Sequence, residues 1–106
     1  MTSQELKNAK ATLINNVNNY LSQFNHFTSQ MNIINDTFAG STDTLLNNEM
    51  INNSTQISEK ISSTITEINN KTMEAVAKIN LEIARLEEYE RQQLLLKQEK
   101  EEQEGV

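Results

Sequence analysis

The chain contains no proline, and its only glycine before the penultimate residue is Gly40. Turns draw on those two residues, proline because its φ is preset and glycine because it reaches φ > 0 without strain. A 106-residue chain with so little punctuation is expected to form long, uninterrupted helices. That length accommodates one domain. The apolar fraction of 36% and net charge of −6 lean toward disorder by themselves. The regular spacing of the apolar residues argues for order instead.

The first helix has a start signal. Thr2 followed by Glu5 has the spacing of a capping box, in which each side chain accepts from the other residue's free backbone N–H. Apolar or small residues then recur at Leu6, Ala9, Leu13, Val17, Tyr20, Phe24, Phe27, Met31 and Ile34. From Leu13 on, the steps alternate between four and three, a seven-residue repeat that marks a helix packed lengthwise on another helix. The opposite face is Asn, Gln, Ser and Lys. Asparagine is a poor helix former, so this helix must gain its stability from packing.

The segment Asn35-Asp36-Thr37-Phe38-Ala39-Gly40-Ser41-Thr42-Asp43 combines helix-stopping residues, the interior glycine and candidate N-caps. A break this short joins helices that fold back antiparallel. The expected architecture is all-α: an antiparallel helical hairpin filling residues 1–106 as one domain. Helix one covers about 3–35, the turn 36–42 and a long second helix about 43–100, with a frayed acidic tail to 106.

The second helix carries Ile51, Ile57, Ile61, Ile65, Ile68, Val76, Ile79, Ile83 and Leu86 along one line, with Thr72 between Ile68 and Val76. Ile57, Ile68 and Ile79 recur at eleven-residue steps, which give a nearly straight or slightly right-handed seam. Glu67/Lys71, Glu74/Lys78 and Glu87/Arg91 are favourably oriented i,i+4 pairs that support the helix without specifying a function.

The two arms differ in length. At ~1.5 Å per residue, helix one spans roughly 50 Å and helix two roughly 90 Å. Helix one is thus expected to reach about residue 80, leaving Ile83, Leu86, Tyr89 and Leu94-Leu95-Leu96 without an intrachain partner. Even where paired, two helices leave each apolar stripe half open to water, and such patches mark interaction surfaces.

Several function classes lack their residues. Nucleic-acid binding needs clustered Lys and Arg, whereas the nine basic residues here are scattered along an acidic chain. Without Cys, and with His26 as the only histidine, there is no disulfide and no recognisable metal site. Acid pairs such as Glu87-Glu88 and Glu101-Glu102 point in different directions on a helix and make poor catalytic dyads. Neither a Ser-His-acid arrangement nor a glycine-rich phosphate loop can be assembled. The reading is a protein with no catalytic residues and no cofactor. No run approaches the ~20 apolar residues of a membrane span. The leucines of the tail sit among acids that repel anionic lipid. The opening residues Met1-Thr2-Ser3-Gln4-Glu5 lack the basic start and apolar run of a cleaved signal peptide, so any export would use a route that needs none.

Two helices turning near residue 40 on an aromatic-x-Gly tripeptide, here Phe38-Ala39-Gly40, resemble the WXG superfamily of type VII secretion. In that family the aromatic ring packs at the hairpin tip and the glycine lets the chain reverse. Phe stands here in the place of Trp. The long second helix and Ile/Leu-rich C-terminal half look more specifically like the LXG-associated α-helical (YwqH-like) proteins. The resemblance implies a non-enzymatic accessory or targeting chaperone in a Gram-positive bacterium, cytoplasmic before export. Its partner would be the helical N-terminal domain of an LXG-type toxin, together with a second small helical protein, or else a second copy of itself. The seam would be Phe24, Phe27, Ile61, Ile65, Ile68, Ile79, Ile83, Leu86 and Tyr89. Export signals of that family place an acid four residues after an aromatic; Tyr89 is followed at that spacing by Gln93, so the partner would supply the signal. The alternatives are a secreted WXG-type homodimeric effector and a structural coiled coil, the latter a continuous rod without a turn.

Overall fold

The computed structural model describes residues 1–39 and 44–105. Two helices account for nearly all of them, α1 (Ser3–Ala39) and α2 (Thr44–Glu104). They pair antiparallel, as expected of a hairpin and unlike a rod. Of the tripeptide assigned to the turn, Phe38 and Ala39 form the end of α1, and Gly40 lies outside the described residues.

Both helices run further than the sequence suggested. Asp36 and Thr37 are helical, and the Thr37 hydroxyl donates to the Ile33 carbonyl at 2.9 Å. Their weak helix propensity, a few tenths of a kcal/mol each, yields to the half-burial of Phe38, the next residue, on the inner face. At the other end α2 is helical through Glu104 where fraying was expected. Its Glu, Gln, Lys and Leu are strong helix formers and hold the segment without tertiary cover.

The chain divides into two compact units, residues 1–13 with 73–106 and residues 14–72. In the first, Thr2 caps α1. The Glu5 amide donates to Thr2 Oγ1 at 3.1 Å, and the Thr2 hydroxyl donates to Glu5 Oε1 at 3.3 Å. The reciprocal half of the box therefore runs through the hydroxyl. The Ser3 amide and hydroxyl both donate to the Glu90 carboxylate, at 2.8 and 2.6 Å, and Lys7 Nζ lies 3.0 Å from Glu87 Oε1. Stepping forward on α1 from Ser3 to Lys7 steps backward on α2 from Glu90 to Glu87, which defines the antiparallel register. Glu87 thus reaches across to Lys7, while Arg91 takes Glu88 at i,i+3.

This register corrects the expected length mismatch. The N-terminus of α1 lies against Glu90 and not residue 80. Ile83 is consequently the most covered apolar residue described, at 8% exposure, and Leu86 is half-buried. Tyr89 and Leu94-Leu95-Leu96 are exposed.

In the second unit the inner face of α1 is Val17, Leu21, Phe24, Thr28, Met31, Asn35 and Phe38, all half-buried. The seven-residue repeat stands, but its second position lies one residue later than the apolar pattern suggested: Leu21, Thr28 and Asn35 face inward in place of Tyr20, Phe27 and Ile34. Small or flat side chains at the contact let helix axes approach closely. The two polar ones are satisfied there, Thr28 by donating to the Phe24 carbonyl at 3.1 Å and Asn35 by accepting from Ser54 Oγ at 2.5 Å. On α2 the inward line is Asn47, Met50, Ser54, Ser58, Ile61, Ile65, Ile68 and Thr72. From Ile61 onward it follows the isoleucines read from the sequence. Nearer the start of α2, Ile51 and Ile57 give way to Met50, Ser54 and Ser58.

Candidate partner-binding surface

The second unit mixes polar residues into a largely apolar inner face. Its inner face carries Thr28, Asn35, Asn47, Ser54 and Ser58, while large apolar side chains stand outside. Tyr20 is 62% exposed, Phe27 48%, Ile34 41% and Ile57 43%. Tyr20, Phe27 and Ile34 follow one another at seven-residue steps and so share a flank of α1. Ile57 lies one turn before Ile61 on α2. In an antiparallel pair, positions displaced to the same rotational side of the two inner faces fall on one side of the hairpin. That places Ile57 on the flank of Phe27.

A groove of about 330 Å³ opens on this flank, lined by Gln23, Phe24, Phe27 and Ile61. Phe24 and Ile61 are half-buried and form its floor, while Phe27 forms its wall. Beside it Asn16, Asn19, Tyr20 and Gln23 line an amide-rich depression. No Asp, Glu, Lys or Arg occurs between Lys10 and Asp36. This is an unusual surface for an exposed helix. Protein interfaces are depleted of charge at their centres and enriched in aromatic residues, and this flank has both properties.

The remaining candidate residues divide between the units. Ile65 and Ile68 are half-buried on the inner face of the second unit, and Ile79 and Leu86 on that of the first, where Ile83 is buried. Phe27 and Tyr89 are exposed. The apolar lines read from the sequence included Tyr20, Ile34 and Ile57, although of this flank the partner seam named only Phe27. The signal that could have separated them is the Thr and Asn immediately following Phe27 and Ile34, which offer a polar but smaller inward alternative.

The first unit contributes a different kind of surface. Past Glu90, where α1 begins, α2 is exposed on all sides. Gln92, Leu95, Leu96 and Glu99 border a shallow groove of about 280 Å³. Charge dominates its surroundings. Arg85 grips Glu82 and Arg91 grips Glu88 through two hydrogen bonds each, and those bonds hold both carboxylates below their ordinary range. Glu90 is lowered first by the Ser3 hydroxyl and next by the Ser3 amide, with the Lys7 charge adding to them.

Among the described residues no three His, Cys, Asp or Glu side chains converge to hold a metal ion, and His26 is exposed. No described helix is long and apolar enough to cross a membrane. The described residues thus expose apolar and amide surface on one flank of the second unit. No family model, curated protein or solved structure matches the chain.

Proposed function

We propose that this protein is a non-enzymatic accessory chaperone that binds a helical segment of a larger polypeptide. The observation that carries the reading is the exposure of Tyr20, Phe27, Ile34 and Ile57 in the second unit. Each large side chain covered by a partner contributes ~1.5–3 kcal/mol. That is a substantial fraction of the ~5–15 kcal/mol that stabilises an ordinary domain. The resemblance centred on Phe38-Ala39-Gly40 narrows the larger polypeptide to the helical N-terminal domain of an LXG-type toxin of type VII secretion. In that role the protein keeps the toxin's helical domain soluble in the cytoplasm and presents it for export without a cleaved signal peptide.

Co-expression with the product of an adjacent toxin-like reading frame tests this. A soluble complex of fixed stoichiometry that co-purifies through size exclusion supports the proposal. Failure of the two products to associate overturns it. The second reading, a secreted homodimeric effector, is favoured by the charge-free flank of α1, which can meet its own copy without burying an ion. It predicts a stable homodimer that forms no complex with the toxin-like product.

A further inference from the structure

We infer that the second unit has two rotational states. Turning α1 and α2 about their own axes carries Tyr20, Phe27 and Ile34 into the seam, so that the chain covers its own exposed flank. The rotation is a property of the chain alone, and only its use, regulating access to that flank, rests on the chaperone reading above.

The first support is the pattern of residues. Val17, Phe24, Met31 and Phe38 recur at seven-residue steps on α1 and are half-buried. Leu21, Thr28 and Asn35 flank them on the side that faces α2, and Tyr20, Phe27 and Ile34 on the side that does not. Either flank completes a seven-residue seam with the shared line, because residues three or four apart lie on one helix face. Adjacent residues stand ~100° apart around a helix, so exchanging the flanks moves the centre of contact by only ~50°. On α2 the shared line is Ser54, Ile61 and Ile68, with Ser58, Ile65 and Thr72 on one side of it. On the other side lie Met50, Ile57 and Thr64, of which Met50 and Thr64 are already half-buried.

The layers match in both states. Asn35 meets Ser54. Seven-residue steps in opposite directions along the two helices then set Thr28 opposite Ile61 and Leu21 opposite Ile68. After rotation Ile34, Phe27 and Tyr20 take those places against the same three residues of α2. Tyr20, Phe27, Ile34 and Ile57 enter the seam while Leu21 and Ile65 leave it. The rotated state thus gains apolar cover and loses the Asn35–Ser54 hydrogen bond, two effects of opposite sign. That bond is the latch of the observed state.

Two further observations agree. The groove floored by Phe24 and Ile61 is the space into which Phe27 turns. None of the lines that enter or leave the seam contains Asp, Glu, Lys or Arg, so the rotation takes no ion out of water.

Methyl relaxation dispersion on the natural chain reads the exchange without any substitution. It should show a minor state of about 1–10% at Leu21, Ile57 and Ile65, exchanging in microseconds to milliseconds. Ser54→Ala removes the latch and should raise that share about five- to tenfold. Cysteine pairs read the rotation itself, as the chain has no native cysteine. Leu21→Cys with Ile68→Cys should form a disulfide in the observed state. Tyr20→Cys with Ile68→Cys should close more slowly, and adding Ser54→Ala should speed it by the same five- to tenfold. No exchange in either form, or a Tyr20 pair indifferent to Ser54→Ala, would overturn the inference. Ser54→Ala should also weaken capture of the toxin-like product about twofold, and the Leu21–Ile68 disulfide should restore it. Capture indifferent to Ser54→Ala would overturn the regulatory role. Exchange without any complex would retire the chaperone reading and leave the rotation standing, and a complex without exchange would do the reverse.

Discussion

Ser54 Oγ lies 2.5 Å from Asn35 Oδ1 and 3.0 Å from the Ile51 carbonyl, and Ser54 is the most buried polar residue described, at 3% exposure. The contact pins one position of α1 to one position of α2 within the second unit. An apolar pair there would bury more surface but would tolerate a shift of one helical turn; a hydrogen-bonded polar pair is satisfied in one alignment only. Ser54→Ala should destabilise the protein by about 1–2 kcal/mol, because the Asn35 oxygen loses its donor in a covered site. Urea unfolding measures the loss. Asn35→Leu combined with Ser54→Leu should recover the midpoint but broaden the amide spectrum of residues 31–58 as alternative registers become populated.

Ile83 and Ile57 have the same side chain and opposite surroundings, one covered at 8% exposure and the other open at 43%. Truncating the covered one removes packing that the rest of the first unit cannot replace. Ile83→Ala should cost about 2–3 kcal/mol. Ile57→Ala should fall within ~0.5 kcal/mol, as expected for a surface change. Equal effects in chemical denaturation would show that the hairpin register is wrong.

Glu90 accepts from both the hydroxyl and the amide of Ser3, and its pKa is lowered in the folded protein. A depressed folded pKa means stabilisation that is complete above the ordinary carboxylate value and lost as pH falls through the lowered one. The first turn of α1 should therefore be the first part of the first unit to loosen in acid. Amide exchange of residues 3–6 should accelerate there, ahead of Ile83 and Leu86. Glu90→Gln should produce the same acceleration at neutral pH and remove its pH dependence.

Asn47 Oδ1 is buried without a hydrogen-bond partner. An unmet acceptor of this kind costs on the order of 1–3 kcal/mol. Asn47→Leu, which places apolar atoms on the inner face, should raise the melting temperature, and no change in thermal unfolding would show that the oxygen is solvated.

Much of the fold was legible in the residues. The absence of proline, the seven-residue steps of α1 and the isoleucines from Ile61 to Ile83 define two long helices with facing apolar lines. Thr2 and Glu5 mark the start of α1. Two features were not legible. The length of α1 was underestimated because Asn35, Asp36 and Thr37 read as a stop, whereas Phe38 beyond them packs inward and carries the helix on. The rotation of α1 was the other: the apolar line ran through Tyr20, Phe27 and Ile34, although Leu21, Thr28 and Asn35 face inward.

Helix content, antiparallel pairing and the supply of apolar side chains follow from the sequence alone, because periodicity and propensity are local properties that each helix carries with it. Which rotational face turns inward, and how far α1 reaches along α2, depended on the tertiary structure. Those choices rest on contacts between residues far apart in the chain: Ser3 with Glu90, Lys7 with Glu87, and Asn35 with Ser54. Hydrogen bonds require one alignment, whereas apolar burial accepts several. The polar contacts therefore set the rotation and register, and the rings of Tyr20 and Phe27 are left facing outward.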